Sequence, residues 1–217
     1  MDGVGKQGNP QADNAIVVAA YSGRFGVAFG ELLRTEGGFV DDPADRGGTT
    51  KYGISLRFLK AEGAFDEDRD GVADFDLDFD GDIDGADIRK LTVGDARFLY
   101  LECFWRALGC EALPKPIGEM LFDQGVNGGN HAAKVMLQRA VNVCLASDGQ
   151  ALIGVDGAIG PETERAIETI DREIGLPLLV LAYRDQVRQR YRAIVRRNPS
   201  QEKFLKGWLA RADRLGR

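Results

Sequence analysis

Histidine, cysteine and tryptophan are scarce in this chain of 217 residues, which has one histidine, three cysteines and two tryptophans. The single histidine, His131, has no partner of metal-ligand or relay type at a useful spacing, so it reads as neither a ligand nor a base. Cys103, Cys110 and Cys144 are odd in number and lack CxxC spacing, which argues against a disulfide framework or a zinc site and for small buried apolar residues. Long hydrophobic runs are missing too. The apolar stretch 15–20 is far too short to span a bilayer, and with Asp2 and only Lys6 before it no signal peptide is evident. No nucleic-acid-binding motif is present.

Apolar residues make up 44% of the chain, enough for one large domain or a catalytic domain with a small appendage. The net charge of −6 hides a strong asymmetry. Residues 66–87 hold eleven acids against Arg69 alone, a local −10 that leaves about +4 on the rest. From Arg184 onward there are eleven bases and three acids, a balance suited to an anionic surface or to a solvated helix face.

The densest chemistry lies in the stretch 35–55, where acids, glycines and threonines follow an apolar helix. Phe25, Phe29 and Leu32 recur at helical spacing, and Glu36 falls four residues after Leu32 on the same face. A carboxylate ending an inward stripe is partly desolvated, which raises its pKa toward the range of a general acid. Gly37-Gly38 stops the helix, and Thr49 to Ile54 reads as a small hairpin that sets Asp45 and the Thr49-Thr50 hydroxyls opposite Glu36. An acid facing a second carboxylate and water-holding hydroxyls is equipment for glycosidic bond cleavage. The plainer reading makes Glu36 a surface helix end and Asp45 a turn former.

The run Glu36-Gly37-Gly38-Phe39-Val40-x-Asp42-Pro43-Ala44-Asp45-x-Gly47-Gly48-x-Thr50-x-x-Gly53-Ile54 resembles the signature of the glycoside hydrolase family 108 lysozymes, N-acetylmuramidases found as phage endolysins and secretion-associated muramidases. The resemblance implies a lysozyme-like fold and makes Glu36 the catalytic acid; beside it, Asp45 or Thr50 is expected to position water, and Tyr52 is a candidate substrate-binding residue. Asp41 and Arg46 depart from the asparagine and proline that the family often has there. Asp123-Gln124-Gly125-Val126-Asn127-Gly128-Gly129-Asn130 resembles the same family's Asp-x-x-Val-Asn-x-Gly segment, which implies that Asp123, Gln124 or Asn127 lines the substrate cleft. Read locally, this segment is a helix end and turn with Asn130 as the next N-cap.

Between these segments lies an acidic insertion. Asp76, Asp78, Asp80, Gly81, Asp82, Asp84 and Asp87 occupy positions 1, 3, 5, 6, 7, 9 and 12 of an EF-hand-like loop with Ile83 at position 8, a spacing that serves the six to eight oxygens calcium takes. Aspartate at position 12 resembles dockerin loops. Asp66, Asp68, Asp70, Gly71 and Asp74 fit the first half of a second, weaker loop whose position 12 is Leu77. The plainer reading is a disordered acidic loop.

Thr92-x-x-Asp95 resembles a capping box opening a helix with Phe98, Leu101, Trp105 and Leu108 at core spacing, so Tyr100 and Trp105 are core residues before they are sugar-stacking ones. Farther on, Asp156-Gly157-x-x-Gly160-x-x-Thr163, with Leu137-Gln138, resembles small helical peptidoglycan-binding domains.

The expected fold is therefore mainly α and lysozyme-like, with a small β-hairpin and an inserted EF-hand-like calcium loop. The expected organisation is a flexible terminus over 1–14, a catalytic domain over 15–127 containing the insertion 64–90, and a helical wall-binding domain over 128–217. The expected activity is cleavage of the β-1,4 bond between N-acetylmuramic acid and N-acetylglucosamine in bacterial peptidoglycan, with structural calcium, no nucleic acid and no membrane span. Release to the wall would then need a holin or export machinery. The alternatives are a calcium-dependent wall-binding or dockerin-like adaptor, and a chitinase- or chitosanase-like hydrolase.

Overall fold

The computed structural model describes residues 23–36, 49–66, 69 and 71–217, and for Thr35 and Glu36 the backbone alone. The expectations for the terminus 1–14, the loop 37–48 with Asp45, and Asp68 and Asp70 lie outside the described residues. The chain divides into two compact units, Met1–Cys103 and Phe104–Arg217. This division is one of contacts and differs from the boundary after residue 127 expected from motifs.

In the first unit, helix α1 (Gly23–Glu36) buries Phe25, Phe29 and Leu32, the stripe read from the sequence. Phe29 lies between Phe25 and Tyr100, with ring centroids 5.8 Å from each. Strands β1 (Thr50–Lys51) and β2 (Ile54–Ser55) pair antiparallel, Thr50 opposite Ser55 and Lys51 opposite Ile54. Helix α2 (Leu56–Glu62) starts where the Ser55 hydroxyl accepts from Phe58 N–H, and Gly63 N–H closes it on the Leu59 carbonyl at 2.7 Å. Helices α3 (Gly85–Lys90) and α4 (Val93–Tyr100) follow, and α4 widens into a π-type turn over Leu101–Arg106. The Thr92–Asp95 capping box forms in both directions, the shorter aspartate reaching Thr92 N–H at 2.6 Å.

The second unit is a helical bundle: α5 (Ile117–Gly128), α6 (Asn130–Ser147), α7 (Pro161–Thr169) with a π-type turn over Ile170–Ile174, α8 (Leu176–Arg197) and α9 (Glu202–Arg214). Helix α6 packs on α5 and α8, and α9 packs on α8. The centre is filled by Ala133, Leu137, Ala140, Val141 and Cys144 from α6 and by Leu179, Tyr183, Val187 and Tyr191 from α8. All three cysteines are free, and burial pushes the Cys103 and Cys144 thiols up to about 11, which suits inert core residues. No described helix is long and apolar enough to cross a membrane.

One local expectation is corrected. The helix does not end before Gly128, and Asn130 is not an N-cap: α5 runs through Gly128, and Gly129 alone, at φ 87°, separates it from α6, which begins at Asn130. The Gly129 N–H donates to the Gly125 carbonyl at 2.8 Å and so carries the helix through Gly128, and a Cβ at Gly125 would come within 2.5 Å of Leu108 and 2.9 Å of Asn130 Oδ1. Asn130 is thus directed against α5 rather than onto its own helix end.

The segment around Asp156 is held by the buried Gln138 amide. Its Nε2 donates to Asp156 Oδ1 at 2.7 Å and to the Ala158 carbonyl at 2.9 Å, and its Oε1 accepts from Gly157 N–H at 2.8 Å. Gly157 sits at φ 77°, and a Cβ there would stand 2.3 Å from the His131 ring, so both backbone and space demand glycine. Hydrogen bonding by Gln138, reinforced by Ala158 N–H, holds the Asp156 carboxyl below its usual range. Because the folded pKa is depressed, this contribution is present above the unfolded pKa and is lost as pH falls through the folded value. Gln138→Leu should lower unfolding free energy by about 2 kcal/mol through the stranded Gly157 and Ala158 groups and flatten the acid limb of the stability profile. Denaturant melts from pH 2 to 7 check both effects, and a variant with parental stability contradicts this role.

Candidate functional site

Of the residues singled out for catalysis, Glu36 ends α1 and Thr50 lies on the hairpin, while Asp45 lies outside the described residues. Glu36 is the last residue of α1, one turn beyond the buried Leu32. Thr50 lies half-buried on β1, and Tyr52 and Gly53 form the two-residue turn with φ of 53° and 78°. Positive φ at both positions suits the twist of a tight hairpin, yet for a bulky residue such as Tyr52 it is strained. The Tyr52 carbonyl accepts from the Tyr100 hydroxyl at 3.2 Å, which ties the strained turn to α4.

The hairpin is also braced by the helix that follows the acidic loop. Lys51 Nζ donates to the Arg89 carbonyl at 2.5 Å, near the C-terminus of α3 where free carbonyls attract a cation. At the other end of α3, a Cβ on Gly85 would meet Thr49 Oγ1 at 3.5 Å. Lys51 and Arg89 are far apart in sequence and form no local motif, so sequence reading passed over the pair.

The acidic loop is closed by its own carboxylates. Asp87 is fully buried and accepts from Leu77 N–H at 2.6 Å and Asp84 N–H at 2.7 Å. Asp76, also buried, accepts from Asp80 N–H at 3.2 Å and Gly81 N–H at 2.9 Å. Side-chain oxygens of Asp76, Asp78 and Asp80 lie within 4.8 Å of one another, as do those of Asp82, Asp84 and Asp87. One carboxylate oxygen of Asp78, Oδ1, is buried with no hydrogen-bond donor, and desolvation, then Asp80 and Asp87, raise the Asp78 carboxyl above its usual range.

The two half-loops share a backbone geometry that residue spacing did not reveal. Arg69 and Gly71 have φ of 61° and 88°, and Phe79 and Gly81, ten residues later, have 60° and 98°. Gly71 N–H donates to Asp66 Oδ2 at 3.2 Å as Gly81 N–H donates to Asp76 Oδ2. Positions 4 and 6 are thus left-handed in both. Asp74 is exposed, and its N–H donates to the Phe65 carbonyl at 2.7 Å. Between the repeats lies a pocket of about 230 Å³ lined by residues that include Val72, Asp76, Phe79 and Ile83.

In the second unit, α5 brings Asp123, Gln124 and Asn127 together around Tyr191 of α8. Asn127 Nδ2 donates to the Tyr191 hydroxyl at 2.8 Å, and Gln124 Nε2 donates to Asp123 Oδ1 at 2.8 Å. Asp123 is further committed to an ion pair with Arg211 of α9 at 2.9 Å. Burial is the first cause that raises the Tyr191 hydroxyl above its usual range, which keeps it protonated. Gln124 is wholly buried, and its Oε1 has no hydrogen-bond partner. Arg190 donates to the Gly128 carbonyl at 2.9 Å.

The pairing gives Asp123 a measurable structural role. A double-mutant cycle of Asp123→Ala and Arg211→Ala should give about 1–2 kcal/mol of coupling in unfolding free energy, since both side chains are mostly withdrawn from water. Zero coupling would leave Asp123 free for a role in substrate contact alone.

Comparison with known proteins is consistent with this arrangement. Residues 29–129 match the family model described as glycosyl hydrolase 108, and residues 132–213 match one described as a predicted peptidoglycan domain. Among solved structures, that of Brucella abortus SagA is similar at 26% identity and a TM-score of 0.64, covering 89% of this chain and 91% of that one. No curated protein matches. A mainly helical chain with a two-stranded antiparallel sheet agrees with a lysozyme-like fold. The match of residues 29–129 to the glycosyl hydrolase 108 model, with the peptidoglycan domain match that follows it, marks this chain as a glycoside hydrolase acting on peptidoglycan.

Proposed function

We propose that the enzyme is a muramidase that hydrolyses the β-1,4 bond between N-acetylmuramic acid and N-acetylglucosamine, with Glu36 as the general acid. The observation that carries this reading is the place of Glu36 within the matched segment, at the end of a helix whose face one turn earlier is buried. A protonated carboxyl at that position can deliver its proton to the leaving glycosidic oxygen. Water positioned by Asp45 or by the hydroxyl of Thr50 then attacks the anomeric carbon as the bond to the leaving oxygen breaks and gives its proton to the Asp45 carboxylate or to bulk water, with Tyr52 beside the sugar. The peptidoglycan domain favours this substrate over chitin or chitosan. Because peptidoglycan lies beyond the cytoplasmic membrane, the reading includes delivery through a holin pore or export machinery to the periplasm or exterior.

Glu36→Gln should cut turnover on purified peptidoglycan by roughly 10²–10⁴-fold while the melting temperature stays near that of the parent. Parental turnover in Glu36→Gln would remove the assignment.

The same reading gives the acidic loop a calcium ion held by Asp76, Asp78, Asp80, Asp82, Asp84 and Asp87, with Asp66, Asp68, Asp70 and Asp74 as a second, weaker set. The fit rests on the oxygen-only donor set, the left-handed turn at Gly81 and the buried Asp78 Oδ1 that lacks a donor. Calcium would supply charge neutralisation there, a structural service remote from the proton transfer. Calcium at a hundredfold excess over its dissociation constant should stabilise the fold by about 2.7 kcal/mol, and a chelator should lower the melting temperature accordingly. A melting temperature indifferent to excess chelator would refute the site.

A further inference from the structure

Tyr100 ends α4 and is among the largest fully buried side chains, at 1% exposure. Its ring lies against Phe29 of α1, with centroids 5.8 Å apart and planes at 52°. Phe29 precedes Glu36 by seven residues, two turns of helix, so the ring rests on the face of α1 that leads to Glu36. The Tyr100 hydroxyl reaches the other way and donates to the Tyr52 carbonyl at 3.2 Å. One side chain thus touches both the helix that ends in the proposed acid and the turn that follows Thr50. Phenylalanine would serve the packing equally, so the hydroxyl is the part whose service lies in the hairpin.

The turn it holds is short and strained. Strands β1 and β2 have two residues each, too few to fix a hairpin by their own pairing. Tyr52 has φ 53°, a left-handed conformation that a bulky residue keeps only where its surroundings impose it. Ile54, buried in the core, seats the second strand, and Lys51 Nζ ties the first to the Arg89 carbonyl. The bond from Tyr100 acts on the strained residue itself, two positions after Thr50. It comes from a ring already packed on α1, so it relates the hairpin to that helix.

We propose that Tyr100 is a positioning residue for glycosidic cleavage: by holding the Tyr52 carbonyl it sets where Thr50 stands relative to α1, and so where the attacking water is held. Being buried, it acts through the hairpin and touches neither water nor sugar. This role rests on the muramidase reading above, with Thr50 as a water-positioning group, and adds to it the residue that gives Thr50 its place. A small displacement of a water-holding hydroxyl lowers the productive fraction of bound complexes while the strand still binds, so the effect falls on turnover before affinity.

Steady-state hydrolysis of soluble, uncrosslinked peptidoglycan strands by Tyr100→Phe tests this. The ring keeps its contact with Phe29, and water can replace the lost donor at the half-buried Tyr52, so the melting temperature should stay near the parent's. The kcat should fall roughly tenfold, the scale of one hydrogen bond, with KM moving less than about threefold. In the Thr50→Ala background the same substitution should cost less than about twofold, because the group it positions is gone. Parental kcat in Tyr100→Phe would overturn the role while leaving the muramidase reading intact. So would parental kcat in Thr50→Ala, which would leave the water to Asp45. A loss repeated in full in the Thr50→Ala background, or one that tracks a lowered melting temperature, would also overturn it and make Tyr100 a core residue alone. A parent that leaves the strands uncut would overturn both readings.

Discussion

Negative charge concentrated between residues 66 and 87 is the constraint on which the first unit depends. Eleven acids in so short a span repel one another, and the fold turns the oxygens of Asp76 and Asp87 onto backbone N–H groups. Asp87 is the extreme case: wholly buried, it holds Leu77 and Asp84 together and so fixes the start of α3 against the loop. The other end of α3 then accepts Lys51 from the hairpin, and Lys90 Nζ reaches back to the Leu77 carbonyl at 3.0 Å. Through these few contacts the state of the acidic loop bears on the strands that carry Thr50 and on the turn at Tyr52.

The second unit solves a different problem, that of burying polar groups in a helical bundle. Gln138 spends both ends of its amide on the 156–158 segment, and Tyr191 is held by Asn127 at the junction of α5 and α8. Each arrangement joins elements distant in sequence and costs little because its hydrogen bonds are made. One exception is Gln124 Oε1, buried beside Asp123 without a hydrogen-bond partner.

Much of this was legible in the sequence because the signals are local. Ser55 and Gly63 bracket α2, Thr92 and Asp95 cap α4, Pro161 opens α7, and the Phe25, Phe29 and Leu32 stripe is buried as its spacing requires. Tyr100 and Trp105 are core, as their helical period implied. Three kinds of feature were hidden. Contacts such as Lys51 with Arg89, or Asp123 with Arg211, depend on tertiary placement and have no local spacing. The paired glycines at 128 and 129 read as a break, but the Gly129 N–H closes on the Gly125 carbonyl and the first of them stays helical. Left-handed backbone at Arg69 and Phe79 defies residue preference, since neither is glycine or asparagine, and shows only once the loops are folded.

The central claim, that this chain cuts the glycan backbone at the muramic acid residue, is tested most directly by the chemistry of the ends it makes. Purified peptidoglycan digested by the parental enzyme, with the fragments reduced and analysed by mass spectrometry, should yield muropeptides whose reducing terminus is N-acetylmuramic acid. Reducing termini made of N-acetylglucosamine, or peptide fragments from uncut glycan, would contradict it.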